Sequence, residues 1–130
     1  MNLNDEQLKV FERRLRMQSA DMRKQIHAEL LKSDEERYVS LAEQVHDSGD
    51  ESIADLLADV DIIMVDRMIS ELRLIEGALE KISRGGYGTC EECGGDISYE
   101  RLDAQPEAER CIKCQEQYEK THAGDRHPSM

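Results

Sequence analysis

Leu8, Phe11, Leu15, Met22, Ile26 and Leu30 recur at three- and four-residue steps, with Gln18 interrupting the series. That period lays apolar side chains along one stripe of an α-helix, and Lys, Arg and Glu fill the rest of its surface. Asn4 and Gln7 have capping-box spacing ahead of the stripe, and Asp5 and Glu6 suit a helix N-terminus. Leu31, Lys32, Ser33 and Asp34 read as a soft break, where Ser33 can cap a new start. Val39, Leu41 and Val45 continue the apolar pattern weakly. His46-Asp47-Ser48-Gly49-Asp50 is a turn by composition. From Ile53 the stripe returns through Leu57, Val60, Met64, Met68, Leu72, Ile75, Leu79 and Ile82, and Arg84-Gly85-Gly86 ends it.

Each of these two segments is roughly 30–40 residues, or about 45–60 Å if continuous. Neither can bury its stripe alone, and the short turn makes them antiparallel neighbours. The predicted fold is therefore mainly α. A long antiparallel coiled-coil hairpin occupies residues 1–84, with its tip at about 46–51. A small four-cysteine zinc finger with a C-terminal helix follows over 85–122, at the open end of the hairpin. The tail, 123–130, contains Gly124 and Pro128 and no apolar pattern, and is expected to be disordered.

Composition agrees with this picture. Of the 130 residues, 35% are charged and 4% aromatic, which is thin material for a globular core but ordinary for a helix pair. No apolar run approaches the ~20 residues that cross a bilayer. Met1 leads into Asn2, Asn4, Asp5 and Glu6 rather than a basic and apolar leader. A soluble, cytoplasmic protein is expected.

The chain has four cysteines, arranged as Cys90-Glu-Glu-Cys93 and Cys111-Ile-Lys-Cys114 with 17 residues between the pairs. Two C-x-x-C pairs at this distance are the spacing of a tetrathiolate zinc site. Gly94 after Cys93 suits the tight turn of a metal knuckle. Four protein ligands leave no open position, so one structural Zn2+ is expected, with iron as the alternative ion. Disulfides are disfavoured in a reducing compartment, and a thioredoxin-like pair lacks its α/β pattern. Cys111 and Cys114 begin a helix running towards Thr121, whose amides would help to stabilise the thiolates.

The net charge is -12, and zinc on four thiolates would lower it by two more. Such a field opposes nucleic-acid phosphates, so a protein partner with a basic surface or channel is expected. From Tyr38 to Asp66 there is no Lys or Arg, and Glu43, Asp47, Asp50, Glu51, Asp55, Asp59, Asp61 and Asp66 lie there. A hairpin collects these acids near its tip, where they can probe a basic or metal-containing cavity. The bland alternative is a solvated turn followed by acids that favour a helix start.

The stretch Tyr87-Gly88-Thr89-Cys90-Glu91-Glu92-Cys93-Gly94 is followed by Ile97, Arg101-Leu102-Asp103-Ala104, Pro106 and Cys111-Ile112-Lys113-Cys114. Together with the turn Asp47-Ser48-Gly49-Asp50, this resembles the DksA/TraR family of zinc-finger proteins that bind bacterial RNA polymerase. The likeness covers roughly Asp47 to Gln115. It implies a coiled coil inserted into the secondary channel of RNA polymerase, with tip aspartates Asp47 and Asp50 near the catalytic centre. Cys90, Cys93, Cys111 and Cys114 would hold the metal, and promoter DNA would not be read by sequence. Ser52 stands where the family's tip motif has Ala. Leu74, Gln105 and Gln115 stand where members responsive to the alarmone ppGpp use basic residues, so strong ppGpp synergy is not expected. Arg101 matches a basic linker position, either as a contact or as a structural salt bridge.

His27 and His46 lack metal-ligand spacing, His122 and His127 fall at the C-terminal end, and the Met residues read as core fillers. No nucleophilic triad or phosphate-cradling loop is present, so no enzyme is expected. Two other classes stay open. One is a coiled-coil adaptor, or a competitor of transcript-cleavage factors in the same channel. The other is a nucleic-acid-binding zinc ribbon, for which Arg110 and Lys113 are too few cations.

Overall fold

The computed structural model describes residues 3–33, 35–48 and 52–122. Asn4 caps the first helix, α1 (Asp5–Leu31), through the expected reciprocal pair. Its side chain accepts from the Gln7 amide at 2.8 Å, and the Gln7 side chain accepts from the Asn4 amide at 3.0 Å. The next helix, α2 (Glu36–Asp47), turns back along α1. A short 3-10 turn at Asp55–Leu57 leads into α3 (Ile63–Arg84). Gly85, at φ 87, closes α3, with the Gly86 amide on the Lys81 carbonyl at 2.9 Å. Only a residue free to adopt the left-handed region ends a helix in this way without strain. Two short helices complete the chain, α4 (Tyr99–Ala104) and α5 (Ile112–Thr121).

The backbone of the fold is the antiparallel pair α1 and α3, which extend about 40 Å and 33 Å. Two apolar clusters lie along it. At the outer end, Ile26 and Leu30 of α1 meet Tyr38, Ala42 and Val45 of α2 and Val65, Ile69 and Leu72 of α3, and Ile53, Leu57 and Val60 also enter. At the other end, Phe11 and Leu15 meet Ile75 and Ala78 and then the finger residues Tyr87, Cys90, Ile97 and Leu102. The finger thus sits at the end of the hairpin that carries the N-terminus, as expected.

The inner order of the hairpin differs from the sequence expectation in two ways. The soft break is a full reversal: Ser33 accepts from the Glu35 amide at 3.1 Å, and α1 ends in tightened bonds from Lys32 to Glu29 and from Ser33 to Leu30. Nothing apolar lies between Leu31 and Tyr38 to hold a straight helix against a partner, so the chain folds α2 back onto Ile26 and Leu30. The second helix also starts late. Residues Ser52–Ile62 are largely irregular, and Val65 and Ile69 are buried while Met64 is 54% exposed. Of the expected tip at 46–51, residues 46–48 lie beside α1 at the end of α2, and residues 49–51, like the tail 123–130, lie outside the described residues.

Phe11 ties the hairpin to the finger. It is 1% exposed and lies 5.6 Å from the Tyr87 ring and 5.7 Å from the Tyr99 ring. Phe11→Ala should cost about 3–4 kcal/mol, since the cavity opens between two units that cannot collapse together. Denaturant unfolding of the zinc-loaded protein checks this; a loss below about 1 kcal/mol would mean that the finger does not depend on α1.

Candidate metal centre and the adjoining groove

Each half of the finger presents its sulfurs by local geometry. Gly94, at φ 73, lets the chain turn so that its amide reaches the Cys90 carbonyl at 3.0 Å, and the Gly95 amide lies 3.4 Å from the Cys93 sulfur. The Cys90 amide meets the Gly95 carbonyl at 2.8 Å and the Ile97 amide the Gly88 carbonyl at 2.8 Å, which closes the first knuckle. Cys111 is the N-cap of α5 and Cys114 lies in its first turn, so the second pair sits at a helix N-terminus. The Glu91 amide bonds the Glu109 carbonyl at 2.9 Å and stitches the two halves together.

The four sulfurs lie within 4.8 Å of one another, and Cys93 and Cys111 are 3.9 Å apart. Sulfurs at ~2.3 Å from a tetrahedral ion would be about 3.8 Å apart, so the set fits one zinc ion with no room for a fifth ligand. Protonation tells the same story. Burial pushes the Cys90 thiol up, but the amides of Cys111, Cys93 and Glu92 outweigh it and bring it down to about 6. Cys114, bonded to Cys111 and crowded by burial and by Cys90 and Cys93, is pushed up to about 12. Four thiolates this close cannot all ionise without a cation between them. Such an ion would brace the finger rather than take part in chemistry.

Ion pairs lock the finger in place. Lys81 reaches Glu91 at 2.8 Å from α3. Arg14 grips Asp103 at 2.9 Å and its carbonyl at 2.6 Å from α1. Arg110 pairs with Glu92 and Glu109 and lies 3.9 Å above the Tyr118 ring. Tyr87 donates to the Pro106 carbonyl at 2.9 Å, and burial holds its hydroxyl well above the usual range.

Beside the finger, α3, α4, the linker and α5 enclose a groove of about 660 Å³. It brings together Leu74, Gln105 and Gln115 from three parts of the sequence, along with Arg101. The Arg101 guanidinium donates to the Arg110 carbonyl at 2.8 Å and fixes the linker just before Cys111. Five glutamates, Glu71, Glu107, Glu109, Glu116 and Glu119, also line the groove, together with Arg110. Glu71 is raised to about 7 by its hydrogen bond with Glu107, by burial and by that neighbour's charge. Sequence reasoning missed this pair, because its members are far apart in the chain and meet through the docking of the finger. Asp47 is the last residue of α2 and is exposed; it is neither among the residues lining the groove nor among the four clustered cysteines, and Asp50 lies outside the described residues.

A helical hairpin bearing a four-thiolate finger defines a structural-zinc protein. Residues 85–120 match the prokaryotic dksA/traR C4-type zinc finger. An RNA polymerase-binding transcription factor DksA of Caulobacter vibrioides is 27% identical over 120 residues, which cover 91% of this chain and 80% of that protein. An uncharacterized protein of Aquifex aeolicus is 43% identical over 70 residues, 54% of this chain, and the match spans 43% of that protein's length. The solved structure of transcription factor DksA2 from Pseudomonas aeruginosa superposes with a TM-score of 0.63 at 26% identity, covering 93% of this chain and 89% of that one. In its finger, and more weakly along its whole length, the chain is similar to proteins of the DksA/TraR family.

Zinc affinity should fall as the pH falls, because each thiolate must be reprotonated before the ion leaves. Competition with a chromophoric chelator should show binding at least about tenfold weaker at about pH 6 than at about pH 7.5. Metal analysis should give one zinc per chain, and Cys111→Ser should lose both the ion and the folded finger. An iron-containing or metal-free protein with an intact finger would contradict the assignment.

Proposed function

We propose that the protein is a transcription regulator, not an enzyme, that binds bacterial RNA polymerase through its secondary channel and modulates promoter complexes. The observation that carries this reading is the whole-length likeness to proteins named as RNA polymerase-binding transcription factors, spanning finger and hairpin alike. The acidic turn, with Asp47 exposed at the end of α2, supplies charge that a channel leading to a metal-dependent centre would feel strongly, because dielectric is lower there than in water. Promoter DNA is not read by sequence: the net charge of -12 opposes it. Such a partner places the protein in the cytoplasm; no helix among the described residues is long and apolar enough to cross a membrane.

The groove supports weak coupling to ppGpp. A tetraphosphate ligand wants several free cations. Here Arg101 is committed to a carbonyl and Arg110 to Glu92 and Glu109, and five glutamates also line the groove. In transcription from a ribosomal-type promoter, added ppGpp should therefore change this protein's effect less than about twofold. A large, saturable synergy lost on altering the groove would overturn that expectation. A competitor of transcript-cleavage factors in the same channel is the second reading.

The two aspartates separate function from binding. Solvated charges contribute little to affinity, whereas contacts along the rod and at the finger contribute most. Asp47→Asn with Asp50→Asn should keep polymerase binding within about threefold and abolish the promoter effect. A double variant with unchanged transcription would reduce the acidic turn to a solvated loop.

A further inference from the structure

Nothing in their sequence spacing pairs His27 with His46, but the fold does. α2 lies back along α1 and sets the two imidazoles with ring centroids 5.7 Å apart, tilted by 44°. The backbones beneath them are held by the core: Ile26 and Leu30 near His27, and Ala42 and Val45 near His46, belong to one buried cluster. Both rings line an open cavity of about 240 Å³ between the two helices. His27 is half-buried and His46 is exposed, so solvent and ions reach them. Among the described residues, neither imidazole makes a hydrogen bond. His122, by contrast, meets the Tyr118 carbonyl at 2.9 Å and the Thr121 hydroxyl at 2.8 Å. The ring nitrogens of His27 and His46 are therefore available to a ligand.

The spacing suits a shared ion. Imidazole binds zinc at a metal–nitrogen distance of about 2.0–2.1 Å, which puts each ring centroid about 3.2 Å from the ion. Two such rings have centroids about 5.2 Å apart at the tetrahedral angle, and about 5.7 Å when the angle at the ion opens to about 125°. A small rotation of either side chain therefore brings both rings onto one ion. The local field favours a cation on balance. His46 lies in the last turn of α2, where the helix dipole is negative, and the exposed Glu43 and Asp47 flank it in sequence. Arg23 and Lys24 also line the cavity. Arg23 lies 3.7 Å from Glu76, which offsets its charge, and Lys24 is exposed and can turn its ammonium into water.

We propose that His27 and His46 form a second metal site, separate from the four-thiolate centre, for a divalent ion that prefers imidazole, such as Zn2+. Two protein nitrogens hold the ion, and water fills its remaining positions. The ion clips α2 to α1. Two neutral ligands bind far more weakly than four thiolates, so the site fills only when free zinc is raised. Protein dialysed free of excess metal keeps the one zinc of its finger. The site depends on no contact with polymerase.

Equilibrium dialysis of the zinc-loaded full chain against buffered free Zn2+ tests this. His122→Gln and His127→Gln are present in every sample, so that the C-terminal histidines do not add to the count. Bound zinc should rise from one to two per chain as free zinc is raised to about 100 µM. Adding His27→Gln or His46→Gln should make the second ion require at least about tenfold more free zinc, with helix content and finger zinc unchanged. A second readout keeps both histidines: in nitrogen-15 spectra, the imidazole signals of His27 and His46 should shift together over the same zinc range. It decides the matter even where a glutamine variant fails to fold. Sedimentation should not change across the titration. A count that stays at one, a second site unaltered by either variant, a shift of one imidazole alone, or zinc-driven association of chains overturns the proposal.

Discussion

Four sulfurs held within 4.8 Å of one another are the constraint from which the rest of the structure follows. Their charges repel, and a single dication resolves the conflict. Once the two knuckles are joined, Tyr87, Cys90, Ile97 and Leu102 present one apolar surface, and Phe11, Leu15, Ile75 and Ala78 close on it. The finger thereby fixes the ends of α1 and α3 and sets their register. A chain with 4% aromatic residues has little other means of doing so. Ion pairs such as Lys81 with Glu91 then fix orientation more than they add stability, since they are partly solvated.

Charge is distributed to match. Around the finger, three cations are committed: Arg14 to Asp103, Lys81 to Glu91, and Arg110 to two glutamates and the Tyr118 ring. Asp47 is exposed at the end of α2, and glutamates line the groove by the finger. Under the proposed function, such a surface would repel nucleic acid and suit a basic cavity in a protein partner.

Local chemistry was legible in the sequence wherever a short motif decides it. The Asn4–Gln7 box, the Gly85 stop, the Gly94 knuckle and the C-x-x-C pairs all depend on neighbours within a few residues, and each is found in place. The reversal at Ser33 was visible as a weak signal, but its outcome was not. Whether α2 continues α1 or folds back depends on which surface buries Tyr38 and Val45, and both choices satisfy the same stripe. Met64 and Val65 exchange places for that reason. The Glu71–Glu107 pair and the groove had no sequence signal at all, because they arise where the finger docks on α3.

The central claim is that this hairpin occupies a channel of RNA polymerase rather than a generic surface. Equilibrium competition on core polymerase tests it most directly, with labelled protein bound and an unlabelled factor that fills the secondary channel titrated in. The account predicts full displacement, with an apparent affinity that tracks the competitor's own. Simultaneous binding of both proteins, or no binding to core polymerase at all, would contradict it.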